Sequence, residues 1–123
     1  MQLSALVSGN AEVIGSEATL AEAADRMVGQ EVDALAVVSG RKLVGLFTEH
    51  DLAKSVAEGA ALDSETLVTW MTESPDVFPP ATTVDDAVAW LMETGYRHLP
   101  VMDGPDLMGI VGIRDLVWAL AQD

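Results

Sequence analysis

Two stretches, Gly45-Leu46-Phe47-Thr48-Glu49-His50-Asp51-Leu52 and Gly109-Ile110-Val111-Gly112-Ile113-Arg114-Asp115-Leu116, carry one pattern twice, 64 positions apart. Each begins as a short apolar run of strand character and then turns into a segment with an aspartate followed by a leucine. Working outward at the same spacing, the two halves align without a gap. Leu3 falls on Leu67, Val13 on Val77, Thr19 on Thr83 and Ala23 on Ala87. Leu35 meets Leu99, Val37 meets Val101, Gly40 meets Gly104, and Leu43 meets Leu107. An internal repeat of this length makes each half one supersecondary unit, and a lone unit of about 60 residues buries too little surface to be stable alone.

Each half reads as β-α-β-β-α. A short extended piece (Glu12-Val13-Ile14, then Asp76-Val77-Phe78) precedes a helix capped by Thr19 or Thr83. Glu22 and Asp86 stand three residues later, as acidic partners in a capping box. Apolar residues at Leu20, Ala23, Ala24, Met27 and at Val84, Ala87, Val88, Leu91 have the i, i+3, i+4, i+7 spacing of one buried helical stripe. The runs 34–38 and 99–102 predict a second strand, Ser39-Gly40 and Asp103-Gly104-Pro105 predict turns, and 43–47 and 107–111 predict a third strand. A last helix starts near Glu49 or Ile113. Pro75, Pro79 and Pro80 restrict the first strand of the second half to a short or edge piece.

The predicted architecture is therefore α+β: two repeats, 1–60 and 67–123, joined by a linker at 61–66 that carries no strong pattern. Each repeat supplies a small sheet with its helices on one face. The two together are expected to fold as one module about a pseudo-twofold axis.

Composition narrows the function. Twenty acidic residues face six basic ones, a formal net charge of −14, and mean hydropathy is +0.28. Such a surface is repelled by nucleic-acid backbone and by anionic membranes, so neither is expected as a partner. No apolar run approaches the roughly 18 residues that a membrane span needs, and Met1-Gln2-Leu3-Ser4 does not open a signal peptide. The expected location is the cytoplasm. Cysteine is absent, which excludes disulfides and thiolate metal sites. No HExxH, GxSxG, P-loop or EF-hand spacing occurs, so the chain is read as neither an enzyme nor a metal protein.

At this point the sequence resembles the cystathionine-β-synthase (CBS) domain family over nearly its whole length, as a stand-alone tandem pair. The residues that carry the likeness are Thr19–Met27 and Thr83–Leu91, then Gly95–Val101, then the two strand-to-helix stretches quoted above. Trp70-Met71-Thr72 is similar to the short helix that opens a repeat. The resemblance implies a regulatory module with two clefts between the repeats. Those clefts take adenosine-containing ligands such as AMP, ADP, ATP or S-adenosylmethionine, and the modules usually form homodimers.

Asp51 and Asp115 match the family's ribose-binding aspartate, since a carboxylate can accept from both hydroxyls of the diol. Thr48 offers a hydroxyl to ribose or phosphate, and the N–H groups at the helix start favour an anion. Thr48-x-x-Asp51 is equally an ordinary helix cap. Gly112 departs from the family's Ser or Thr, so the second cleft either binds through backbone groups and Asp115 or has lost its ligand. Arg97 and His98 match basic residues that reach phosphate in the family, and Arg114 belongs to the same signature. Arg97 could instead pair with a nearby carboxylate. The repeat mates of Arg97, His98 and Arg114 are Asp33, Ala34 and His50, so the two sites are not expected to be equivalent. His50 is read as a polar edge rather than a ligand.

Met27, Met71, Met92 and Met102 are expected in the core. Trp90 and Trp118 are expected either inside or at an interface, and Trp118 replaces Lys54 of the first repeat. A ligand-free dimerisation scaffold is the alternative function, favoured by Gly112 and by the charge.

Overall fold

The computed structural model describes residues 1–7 and 11–122. The fold is α+β, and the elements follow the predicted order, with the first strand of the second half reduced to an isolated bridge at Phe78. The first half has β1 (Val13–Gly15), α1 (Leu20–Gln30), β2 (Ala34–Ser39), β3 (Lys42–Thr48) and α2 (Glu49–Ala57). Then come the one-turn helix α3 (Leu67–Trp70) and the short strand β4 (Thr72–Glu73). The second half has α4 (Val84–Thr94), β5 (His98–Asp103), β6 (Asp106–Gly112) and α5 (Ile113–Leu120).

Local chemistry explains the boundaries. Thr19 caps α1 in a complete capping box with Glu22, and the Thr83 hydroxyl accepts from the Asp86 N–H, 3.1 Å away, to start α4. Helix α4 ends at Gly95 with φ 79°, a left-handed position that suits glycine. The turns between paired strands use Gly40 (φ 62°) and Gly104 (φ 58°). Each hairpin shifts register at equivalent places, between Val37 and Val38 and between Val101 and Met102.

The chain divides into two compact units, Glu12–Pro75 and Met1–Ala11 with Asp76–Asp123. These are offset from the sequence repeats, because the opening segment of each repeat packs in the other unit. In the 12–75 unit, the sheet order is β1-β2-β3-β4, with β1 parallel to β2 and the other pairs antiparallel. Its core holds Ile14, Leu20, Ala23, Met27, Leu35, Val37, Phe47 and Leu67. The Leu67 N–H donates to the Ala18 carbonyl (3.0 Å) and the Leu20 N–H to that of Glu65 (3.0 Å).

In the other unit, β5 and β6 pair, and Phe78 adds a single parallel bridge to Val101. The proline expectation holds for a simple reason. Ser16 N–H extends β1 by donating to the Val38 carbonyl (3.0 Å), and its repeat mate is Pro80, which has no N–H. The core here is Leu3, Val84, Ala87, Leu91, Leu99, Val101, Val111, Leu116 and Ala119. Leu3, in a short 3-10 turn (Leu3–Ala5), donates its N–H to Thr82 (2.9 Å), and Val84 donates to Met1 (2.9 Å).

Three expectations need correction. Met92 is 81% exposed rather than buried, because it lies one position beyond the Leu91 stripe of α4, and Met102 is half-buried near the end of β5 and belongs to neither core. The opening helix of the second repeat is Leu67–Trp70, with Met71 ending it and Thr72 already in β4. The joining segment is itself held in place, which contradicts no expectation: Glu65 accepts from the Ala61 N–H (2.6 Å) and from the Trp70 indole N–H (3.0 Å).

Candidate functional site

Each repeat ends its last strand on the N-cap of its last helix, and the candidate carboxylate lies three residues on. In the first repeat Thr48 is that cap. Its backbone N–H and its hydroxyl both donate to Oδ2 of Asp51, at 2.9 and 3.1 Å, and the Asp51 N–H donates back to Oγ1 at 3.3 Å. Asp51 is half-buried, and the ring of bonds fixes its rotamer. The single hydroxyl proton of Thr48 is therefore spent on Asp51, leaving the threonine only acceptor capacity toward a ligand.

The equivalent junction in the second repeat keeps half of this arrangement. Gly112 N–H donates to Oδ2 of Asp115 at 2.8 Å, and no hydroxyl is present to take the Asp115 N–H. Asp115 is exposed and receives the Gly112 backbone N–H, whereas Asp51 receives both the N–H and the hydroxyl of Thr48. Gly112 is paired with His98 across the β5–β6 ladder, and a Cβ on Gly112 would meet the His98 ring at 3.4 Å and Asp115 Oδ2 at 3.7 Å. Gly112, His98 and Asp115 thus come together at one end of the hairpin. Backbone geometry at Gly112 is extended (φ −101°, ψ 168°), so no positive φ demands the glycine.

The helix starts are less open than expected. Glu49 N–H donates to the Asp33 carbonyl (3.1 Å), and its mate Ile113 N–H donates to the Arg97 carbonyl (2.9 Å). These two bonds place residues 33 and 97 beside the junctions, a relationship that no local pattern announces because it spans the hairpin. Arg97 and Arg114 are exposed, and no ion pair engages either among the described residues. His98 is half-buried and His50 is exposed on α2. Among the described residues, no group of three His, Asp or Glu side chains is placed to hold a metal, and no helix is long and apolar enough to cross a membrane.

Among the aromatic residues, Trp90 is partly buried. It meets Phe78 edge-on at 4.9 Å and stacks on Tyr96 at 5.7 Å. Trp118 is on the surface.

Comparison with known proteins agrees with this repeat. The CBS domain model matches residues 3–58 and again 66–122. A 17.7 kDa protein of Acidianus ambivalens is 34% identical over 97% of this chain and 73% of its own length. The CBS-domain containing protein ATU1752 from Agrobacterium tumefaciens is 27% identical, with a TM-score of 0.91 over 98% of this chain and 99% of that one. The CBS domain pair of protein MJ0100, solved in complex with 5′-methylthioadenosine and S-adenosyl-L-methionine, is 23% identical with a TM-score of 0.88 over 98% and 99% of the two chains. Other relatives are much longer: the chain spans 17% of a Schizosaccharomyces pombe protein and 19% of one from Arabidopsis thaliana. With the family model matching residues 3–58 and again 66–122, the chain belongs to the CBS domain family, as a tandem pair.

Proposed function

We propose that this chain is a non-catalytic regulatory module of the cytoplasm whose two repeats act together to sense an adenosine-containing ligand. The candidates are AMP, ADP, ATP and S-adenosylmethionine. The observation that carries the reading is the pair of repeat-related carboxylates, Asp51 and Asp115, each oriented by a backbone N–H at the start of a helix. Such a carboxylate keeps acceptor capacity for the two hydroxyls of a ribose. The MJ0100 pair, bound to two adenosyl compounds, supports the ligand class. Arg97, His98 and Arg114 are the candidate residues for contact with a phosphate. In this reading the second junction remains a ligand site, with Gly112 contributing its backbone. Sensing further requires that the ligand prefer one of two conformations or association states, since equal affinity shifts nothing. The reading includes a homodimer.

Thermal melting with AMP, ADP, ATP, S-adenosylmethionine and adenosine tests it. A ligand at about 100 times its Kd adds roughly 2.7 kcal/mol to folded stability. Asp51→Asn and Asp115→Asn keep an oxygen for the helix cap but remove the charge, and loss of the shift in either assigns that carboxylate. ATP is expected to bind no more tightly than AMP at low salt, because its extra phosphates enter the field of a −14 chain. No shift with any of the five would favour the second reading, a ligand-free dimerisation scaffold. Gly112, which removes a hydroxyl from one junction, is the observation on that side.

A further inference from the structure

The six Lys and Arg residues are unevenly placed with respect to the two helix junctions. In the 12–75 unit, Arg26 donates to the Val13 carbonyl (2.6 Å) and lies 3.7 Å from Glu12. Arg41 and Lys42 sit at the turn between β2 and β3, the far end of that hairpin from Thr48, and Lys54 is in the last turn of α2. The other unit has Arg97 and Arg114 as its only Lys or Arg, and both stand at its junction. Ile113 N–H donates to the Arg97 carbonyl (2.9 Å), and Arg114 is the next residue of α5.

The first junction has the opposite lining. Asp33 takes the place of Arg97, its carbonyl accepting the Glu49 N–H (3.1 Å), and Ala34 takes the place of His98 in the ladder, opposite Thr48. Asp33, Glu49 and Asp51 bring three carboxylates there with no Lys or Arg, where the second junction sets two guanidinium groups beside the carboxylate of Asp115. Hydrogen bonding follows the same division. The Thr48 hydroxyl proton is held by Asp51, so the first junction offers a ligand acceptors, whereas guanidinium groups only donate. The field of a −14 chain repels a phosphate except where cations converge.

We propose that the two junctions sort adenosyl ligands by the charge of the 5′ substituent, with Asp33 and Arg97 as the specificity-determining pair. The second junction, through Arg97 and Arg114, takes a 5′-phosphate such as that of AMP. The first takes a cationic 5′ group such as that of S-adenosylmethionine, whose sulfonium and ammonium outnumber its carboxylate. Asp51 and Asp115 hold the ribose common to both, and residues 33 and 97 favour one ligand and repel the other. The inference rests on the adenosyl reading above and adds that one chain answers to two different ligands.

The test is calorimetric titration of the full chain with AMP, S-adenosylmethionine and the uncharged 5′-methylthioadenosine. The expected result is one AMP and one S-adenosylmethionine per chain, bound together and without competition. Asp115→Asn should remove the AMP site alone, and Asp51→Asn the S-adenosylmethionine site alone. Residues 33 and 97 are exposed, so their variants should keep the circular dichroism of the parent. Arg97→Asp should weaken AMP by about tenfold and spare S-adenosylmethionine. Asp33→Arg should weaken S-adenosylmethionine by about tenfold and admit a second AMP. Competition between the two ligands, AMP at two equal sites of the parent chain, or affinities indifferent to both charge reversals would each overturn the sorting. Binding of 5′-methylthioadenosine in those cases leaves the adenosyl reading standing, whereas failure of all three compounds to bind at millimolar concentration overturns both.

Discussion

Leu3 and Leu67 stand at equivalent positions of the two repeats, and each is fully buried in a core built mainly by the other repeat. Leu3 packs with Val84, Leu91 and Leu99, and Leu67 packs with Leu20, Met27 and Leu35. Their N–H groups donate to the equivalent carbonyls of Thr82 and Ala18. The exchange is thus built twice with the same bonds. It follows that the two halves share stabilising elements and do not fold as separate beads.

Leu3→Ala and Leu67→Ala should each cost about 2–5 kcal/mol, the usual cost of truncating a fully buried leucine. Urea unfolding measures this, with Trp70 reporting on the 12–75 unit and Trp90 on the other. A loss below about 1 kcal/mol would mean that the opening segments do not complete the cores.

The exchanged segments press on one glycine each. A Cβ on Gly45 would lie 2.5 Å from Met71 Sδ and 3.0 Å from the Thr72 carbonyl, and one on Gly109 would lie 2.9 Å from Val7 Cγ1. Gly45→Ala and Gly109→Ala are therefore expected to destabilise by about 1–3 kcal/mol through overpacking. Gly29→Ala is the control. It lies inside α1 with open space around it, and should add about 0.5–1 kcal/mol.

Gly112→Ser should stabilise the fold by about 0.5–1 kcal/mol, because a hydroxyl there can accept the Asp115 N–H and the chain loses unfolded-state entropy. A Cβ at this position makes only ordinary contacts. Thr48→Ala should do the reverse at the first junction, costing about 1 kcal/mol. Thermal melts of both variants check the pair. A destabilised Gly112→Ser would show that the space beside His98 is needed empty.

Glu31 closes α1 in the left-handed region (φ 55°, ψ 44°), where its repeat mate Gly95 closes α4 at φ 79°. A side chain there costs about 1 kcal/mol, so Glu31→Gly should recover that amount in chemical denaturation. No gain would imply that the Glu31 side chain repays its strain through a contact of its own.

The elements were legible because their determinants are local. Thr19 with Glu22, Thr48 with Asp51, the helical stripes and the turn glycines all act within a few residues, and the repeat supplies each signal twice. The proline block on the second half's first strand was legible for the same reason. The candidate site was half legible. The positions of Asp51 and Asp115 follow from the repeat. That Thr48 spends its hydroxyl proton on Asp51, and that Glu49 and Ile113 donate to the carbonyls of Asp33 and Arg97, follow only from the tertiary structure. Strand β4 and the Glu65 clasp were missed because Thr72–Glu73 and Ala61–Glu65 have no strong pattern of their own.

By itself the sequence determined a duplicated α+β unit, its caps and turns, and the place of two carboxylates, because these are set by neighbours along the chain. Only the tertiary structure decided which core receives Leu3 and Leu67, which glycines are crowded, and which donors each carboxylate already holds. Those outcomes depend on contacts between residues far apart in the chain, whose partners no spacing rule identifies.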